Sequence, residues 1–498
     1  MKLLDMKNGS VFGAAIAALV LLSPALRAQR QMTLDQTIEV ALDQSVSALQ
    51  ARSTFVSRYW QFRSYKASLL PSLSLYGDLM SFDRSLRLLQ NYNTGEMVYT
   101  DNYNLQNSLG LALKQNVSFT GGTIQLYTDL SRIDQFSASK QTWYAQPVTF
   151  SYRQPLFSYN AFKWEKLTAP KEYEKAKRSY LETRERITIN SVKYFYALLL
   201  AQEDYSSAIS SYESAARLLE VARERVSLGS VTRDECLQLE LRALNDSIAI
   251  NEKAAAMMEA QMQLNSHLGY DESVEIQPLV EDELPAVMMD FDFVLDRSLK
   301  NSSFSLDNEI KLLDAESSVA QAKASRGISM TLNARFGLSN SAEDFRRTYQ
   351  NLLNQEVVGL SFSVPIFDWG QGEGRVKRAR AAQDVVKAQV QQSENDYRRS
   401  VFTLVAQFNN QRQQCYVSRR AREIADERYE LVTQKFLDGR SSVTELNTAQ
   451  NEKQSSLRKY ISDLSLYWNY YYSLRELTLY DFIAGSDLDI DFDRLLEE

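Results

Sequence analysis

The chain repeats itself at long range. Val364-Pro365-Ile366-Phe367 echoes Gln154-Pro155-Leu156-Phe157 at an offset of 210 residues, and the loop at Gly439 echoes that at Gly229 at the same offset. Between these landmarks the two copies run without net insertion. Upstream the offset changes: Ala322-Lys323-Ala324-Ser325 matches Tyr65-Lys66-Ala67-Ser68 at 257 residues, so copy one holds 47 extra residues between its first and last strands. Copies of this size are far longer than solenoid repeats. They point to gene duplication and a pseudo-two-fold protomer.

Scarce chain breakers set the helices. The 498 residues include only 8 Pro and 17 Gly, below the usual ~5% and ~7%. No Gly occurs from 160 to 228. A heptad places Tyr194, Ala201, Ala208, Ala215 and Ala222 at one position and Leu198, Tyr205, Tyr212, Leu219 and Val226 at the other, the pattern of coiled-coil packing. Copy two, about 370–437, carries Val401, Phe408, Cys415, Tyr429 and Phe436, with Arg422 interrupting. Return helices are expected at 233–268 and 444–477, and amphipathic helices before the strands at 34–69 and 291–326. At 1.5 Å per residue the 160–228 helix is about 104 Å long, and 233–268 and 291–326 about 54 Å each. One long helix is thus matched by two shorter ones end to end, with 34–69 completing copy two.

Between the helices lie period-2 segments. Leu73, Leu75 and Leu79 alternate with polar residues, as do Val148, Phe150 and Tyr152, then Met330 to Leu338, then Leu360 to Ile366. Nothing else in the chain is available to cover so many apolar strand faces, so a transmembrane β-barrel, lipid outside and water inside, fits them. Aromatics gather at the strand ends, with Trp164 after Pro155 and Trp369 after Pro365, as at bilayer interfaces. Within the 47-residue excess, 109–119 and 123–133 alternate around Thr120-Gly121-Gly122, a hairpin signal. The sequence leaves open whether this hairpin spans the membrane.

Little catalytic chemistry is on offer. The net charge of −7 argues against nucleic acid, and the one long apolar run, Val11–Leu22, is shorter than the ~20 residues of a transmembrane helix. With Lys2 and Lys7 before it and Ala28 after it, that run reads as a secretory signal with cleavage near Ala28. No cofactor or metal site is expected: His267 is the single histidine, and Cys236 and Cys415 are distant and lie on apolar helix faces. His267 falls at a helix end before Gly269. No phosphate loop occurs, and Gly370-Gln371-Gly372-Glu373-Gly374 lacks the βαβ context of a dinucleotide site. From Asp481 to Glu498 the tail carries a net −6.

The ordered set of signal, strand–helix copies and glycine-containing helical turns resembles the TolC-like outer-membrane efflux family over nearly all of the mature chain. The best matches are 228–235, 438–446, Pro155-Leu156-Phe157 and Pro365-Ile366-Phe367-Asp368. The resemblance implies a mixed α and β membrane protein, a homotrimer whose twelve-strand barrel, four strands per protomer, continues into a long periplasmic α-helical barrel. It implies no enzyme activity. Outer-membrane lipids, a periplasmic adaptor (membrane fusion) protein and an inner-membrane RND or ABC transporter would be the partners.

The domains then read as signal 1–28, upper periplasmic helix 29–69, membrane strands with loops and the extra hairpin 70–157, helical hairpin 158–268 with its tip near 229, and equatorial linker 269–290. There follow a second upper helix 291–326, membrane strands 327–368, a helical hairpin 369–478 with its tip near 439, and an acidic tail 479–498. By resemblance, Gly229, Arg233, Asp234, Glu235, Phe436, Gly439, Arg440 and Glu445 would form the aperture and adaptor-docking tip. Pro155, Trp164, Pro365 and Trp369 would mark the strand-to-helix transition and anchor it at the membrane interface. Phe436, Ser441 and Thr448 stand where the best-known members have a gating Tyr, an Arg and an Asp, leaving Arg233 and Arg440 as candidates to replace lost aperture bonds. Glu235 and Glu445 also suit the first turn of a helix, where the dipole favours carboxylates. The function the resemblance implies is a passive exit duct of a tripartite efflux or type I secretion system, and against it stand two alternatives. A coiled-coil structural or adhesive envelope protein leaves the strands unexplained. An outer-membrane enzyme such as a lipase lacks a base near the strands.

Overall fold

The computed structural model describes residues 29–90, 94–227, 232–280 and 284–497; the expected signal and Gly229 lie outside them. In chain order the main elements are β1 (Gln29–Thr33), α1 (Leu34–Gln44), α2 (Val46–Ser68), β2 (Ser72–Tyr76), β3 (Ser81–Gln90), β4 (Met97–Val117), β5 (Gly122–Gln135), β6 (Lys140–Leu156), α3 (Ala161–Ser227) and α4 (Arg233–Leu268). Then come β7 (Glu275–Leu279), α5 (Phe291–Asn301), α6 (Ser303–Arg326), β8 (Ser329–Ala342), β9 (Leu353–Ser363), α7 (Gln371–Leu437) and α8 (Val443–Thr478). The duplication holds to the residue. α7 and α8 repeat α3 and α4 at an offset of 210, and α5 repeats α1 at 257. Two compact units form: residues up to Thr54 with Arg178–Ser302 and Arg398 onward, and Phe55–Lys177 with Ser303–Tyr397.

The first unit is helical. Its core against α3 gathers Met32, Ala41, Leu198, Leu264, Leu268 and Ile276. Two expectations are corrected here. The 29–69 segment is not all helix, and 269–290 is not only linker: β1 and β7 pair in parallel, Met32 opposite Pro278 and Arg30 opposite Ile276. Five residues are too few for alternation to stand out in the sequence. The amphipathic helices are also broken, at Ser45 and Ser302, each extended (ψ 149° and 163°). Ser45 turns its hydroxyl to the amide of Ala48 (3.0 Å), the local competition by which serine starts a helix anew. Thr33 and Asp290 cap the preceding helices at the same 257-residue offset.

The coiled-coil seam differs by one residue from expectation. Ala208, Ala215 and Ala222 are buried, but their partners are Ser211 and Leu218, while Tyr212 is 39% exposed. Ser211 accepts hydrogen bonds from Gln450 (2.6 Å) and Gln454 (2.9 Å) of α8. A polar bond thus takes the place that the heptad assigned to Tyr212. Arg422 is tolerated in the α7 stripe because its guanidinium lies 5.6 Å over the Tyr460 ring. The acidic tail is ordered over its described part: Asp487 pairs with Arg297 (3.2 Å), Phe492 meets Tyr180 edge-on, and Arg52 donates to the Leu495 carbonyl.

The second unit carries one sheet, bonded in the order β2-β4-β5-β6-β8-β9, with β3 also on β4. All its pairings are antiparallel. β2 and β3 share one edge of β4, at residues 110–114 and 97–106, so they are one interrupted strand. Register sorts the faces. One cross-strand row runs Leu73, Leu113, Leu126, Phe150 and Phe336; the next runs Ser72, Lys114, Gln125, Ser151 and Arg335. Every member of the apolar row is exposed, from 39% at Leu113 to 71% at Leu73. Among the described residues no helix is long and apolar enough to cross a membrane.

Cys415 is 1% exposed and donates to the Asp463 carbonyl at 3.2 Å; burial pushes its thiol up to about 12. Maleimide should therefore leave it unlabelled until the protein is unfolded. Phe408, fully buried against Tyr467 at 5.1 Å, should cost about 3–5 kcal/mol when cut to Ala, read as a lower denaturation midpoint.

Candidate functional site: the helical tips and the strand-to-helix transitions

The tip lies in the helical unit, where α3 hands over to α4 and α7 to α8. Phe436 closes a small core with Leu218, Ala222, Leu239, Val443 and Leu446. It is 4% exposed, so it packs inside the tip and offers no side chain to a channel. The turn after α7 works because Gly439 takes φ +76°, where a Cβ would be strained. Its amide bonds to the Phe436 carbonyl (3.0 Å) and the Arg440 amide to that of Lys435 (2.8 Å), closing off the helix end.

Both return helices begin with caps. Thr232 and Glu235 form a capping box: Glu235 accepts from the Thr232 amide at 2.9 Å, and Thr232 from the Glu235 amide at 3.2 Å. Ser442 accepts from the Glu445 amide at 3.2 Å, and Glu445 accepts from the Ser441 hydroxyl. That hydroxyl, then the Ser442 backbone, hold the Glu445 carboxyl below its usual range. Both glutamates are therefore anchored to their own helix starts. Asp234 accepts from Gln238 (2.7 Å), Thr448 bonds back to the Thr444 carbonyl (2.9 Å), and Arg233 and Arg440 are exposed.

At the tip, arginines that the sequence does not single out join the two hairpins. Arg225, at the end of α3, donates to the carbonyls of Phe436 (3.1 Å) and Leu437 at the end of α7. Carbonyls of a last helical turn lack intrahelical partners; that of Phe436 also accepts from the Gly439 amide, and a cation suits the negative helix end. Arg242 of α4 reaches Asn447 and Gln450 of α8. Within each hairpin, Arg223 pairs with Glu240 (3.3 Å) and Arg428 with Glu452. An Arg on the last turn of one helix, one hairpin away from another helix end, was the available signal. It means little without the fold that brings the ends together.

The transitions lie in the sheet unit. Pro155 sits in β6 opposite Thr331. Just beyond it, Phe157 has φ +61°; in copy two Trp369 has φ +54°. Both rings are open, 74% and 88% exposed. Trp369 meets Phe367 edge-on at 4.3 Å, and exposed Ile366 stands beside exposed Pro365. Trp164 is half-buried in the first turn of α3, with Lys163 at 5.9 Å over its ring. Asp368 caps α7 through the amides of Gly370 (3.0 Å) and Gly372 (2.7 Å), so the glycine run opens a helix after an antiparallel strand. His267 bonds Ser191 at 2.9 Å and lies against Tyr194. Burial holds its pKa below the usual value.

Residues 295–478 match the model of the outer membrane efflux protein family. Among curated proteins none matches the chain. Solved structures share its fold. The CmeC outer membrane channel of Campylobacter jejuni has a TM-score of 0.66 at 16% identity, covering 93% of this chain and 88% of that one. The outer membrane protein VceC of Vibrio cholerae has 0.62 at 14%, covering 92% and 97%. The MtrE outer membrane channel of Neisseria gonorrhoeae, in its open state, has 0.55 at 14%, covering 89% and 88%.

Arg225→Ala removes the side-chain donor from the Leu437 carbonyl and leaves the Phe436 carbonyl with the Gly439 amide alone. Partly in water, that guanidinium should contribute about 1–2 kcal/mol to the tip. Hydrogen exchange across residues 434–446 should accelerate by about fivefold to thirtyfold, with the sheet unchanged.

Proposed function

We propose that three copies of this chain form a passive exit duct, with a membrane barrel and a periplasmic helical tunnel, that receives its cargo from a periplasmic adaptor and an inner-membrane RND or ABC transporter. The observation that carries this reading is the open apolar sheet face beside an adjoining polar row. One face suits lipid and the other water. A second observation supports several copies: along α4, Leu237, Leu241, Leu244 and Ile248 are each more than half exposed at helical spacing, a stripe that a neighbouring copy would cover.

In this reading Gly439, Arg440, Arg233, Asp234, Glu235 and Glu445 belong to the aperture and adaptor-docking tip, and the Arg225 and Arg242 bonds hold each protomer's two hairpins together at rest. Three-fold symmetry would gather Glu235 and Glu445 into carboxylate rings that favour cations. Pro155, Trp164, Pro365 and Trp369 mark the interface with outer-membrane lipid. The expected domain limits at 158–268 and 369–478 are the two helical hairpins of the tunnel.

The test is reconstitution in planar bilayers. The purified protein should run as a trimer and give discrete channels. Arg225→Ala with Arg242→Ala should raise conductance, and Glu235→Gln with Glu445→Gln should lower the preference for cations. A monomer without channels would overturn the reading.

A further inference from the structure

We propose that the extra hairpin β4–β5 is part of the membrane wall, so that each copy supplies six strands and three copies close an eighteen-strand barrel by pairing β2–β3 of one copy with β9 of the next. The inference rests on the trimeric-duct reading and departs from the four strands per protomer that the resemblance implies.

Register carries it first. The hairpin is bonded on both sides, β4 to β2 and β5 to β6, with a ladder of 14 residue pairs from Asn104–Gln135 to Val117–Gly122. A membrane strand needs only about 9–11 residues. The hairpin's contributions to the apolar row, Leu113 and Leu126, fall between Leu73 and Phe150, on the same face. Lys114 and Gln125 fall in the polar row between Ser72 and Ser151. A hairpin folded outside the membrane would have no reason to keep this two-sided order in register with strands that cross it.

The height of the hairpin agrees. Its turn is held where strands meet helices: Asn160, which caps α3, donates to the carbonyls of Ser118 (3.0 Å) and Phe119 (3.3 Å). Gln115 donates to the Leu69 carbonyl (2.8 Å), just past α2. β4 and β5 therefore meet at the same end of the sheet as the start of β2 and the end of β6. Packing fixes β4 beside β2 as well, since the Tyr76 ring lies 2.5 Å from where a Cβ of Gly110 would stand.

The edges then require other copies. Among the described strands, β2 and β3 pair only with β4, and β9 only with β8. In a bilayer such open edges are not tolerated, because lipid offers no partner to backbone amides and carbonyls. β2 leads away from α2 and β9 leads toward α7, so β2 of one copy and β9 of the next meet antiparallel. Six strands, an even number, preserve this around the ring. Barrel diameter grows roughly with strand number, so the mouth would be about one and a half times as wide as that of a twelve-strand barrel.

Spin labels at Leu126→Cys and Gln125→Cys, each in a Cys236→Ser, Cys415→Ala background and reconstituted in liposomes, test the wall. The label at 126 should be relaxed by oxygen dissolved in lipid and the label at 125 by a water-soluble nickel chelate. Leu75→Cys scanned against single cysteines along β9 should give disulfide-linked trimers. Labels equally open to the nickel chelate, in a protein that still runs as a trimer, would overturn the six-strand wall and leave the duct standing. A protein that never forms trimers would remove both.

Discussion

Backbone hydrogen bonding decides how this chain divides its length. A helix satisfies its amides and carbonyls internally, whereas a sheet satisfies them only by finding the next strand. The helices can thus be built within one copy, with their ends closed by Thr33, Thr232, Asp290 and Ser442. The sheet cannot be finished that way, because among the described residues its last strands keep one unbonded edge each. Where the apolar row faces lipid, no water stands in for the missing partner. Self-association is in this sense a demand of the strands, and the exposed stripe on α4 follows the same logic in side chains instead of backbone.

Much of this architecture could be read from the residues because two signals reinforce each other. The 210-residue offset and the shortage of Gly and Pro placed α4 at its observed ends, and α3, α7 and α8 within one residue of theirs. Where a rule was local and weak, the reading slipped. Ser45 and Ser302 break helices with only a hydroxyl, and no Pro or Gly marks the place. The parallel β1–β7 pair is too short for a period. The seam was displaced from Tyr212 to Ser211 because the heptad records where apolar residues recur, while Gln450 and Gln454 reward a small hydroxyl.

The tip was legible in position but not in mechanism. The turn glycine and the acidic residue six positions later stood out, yet Glu235 and Glu445 prove to be tied to their own helix starts. Phe436 is a core residue, a role that any large apolar side chain at that heptad position could fill. Nearest the tip, bonds between the hairpins come from Arg225 and Arg242, whose partners are backbone carbonyls and side-chain amides of Asn and Gln. Such partners leave no trace in sequence, because a carbonyl is present at every position and only the fold chooses which one is orphaned.

In the proposed barrel, the extra hairpin widens the wall without disturbing the helices attached to it. An inserted pair of antiparallel strands starts and ends at the same side of the sheet, so β6 still delivers the chain to α3 as it would without the insertion. Parity is conserved, the apolar and polar rows continue across the new strands, and the copies need only close a longer circumference. Insertion of a single strand would fail on each count: it would reverse the direction of every later strand and leave α3 on the wrong side. The 47-residue excess therefore had to come as a hairpin if it was to join the wall at all, and its alternation around Thr120-Gly121-Gly122 meets that condition.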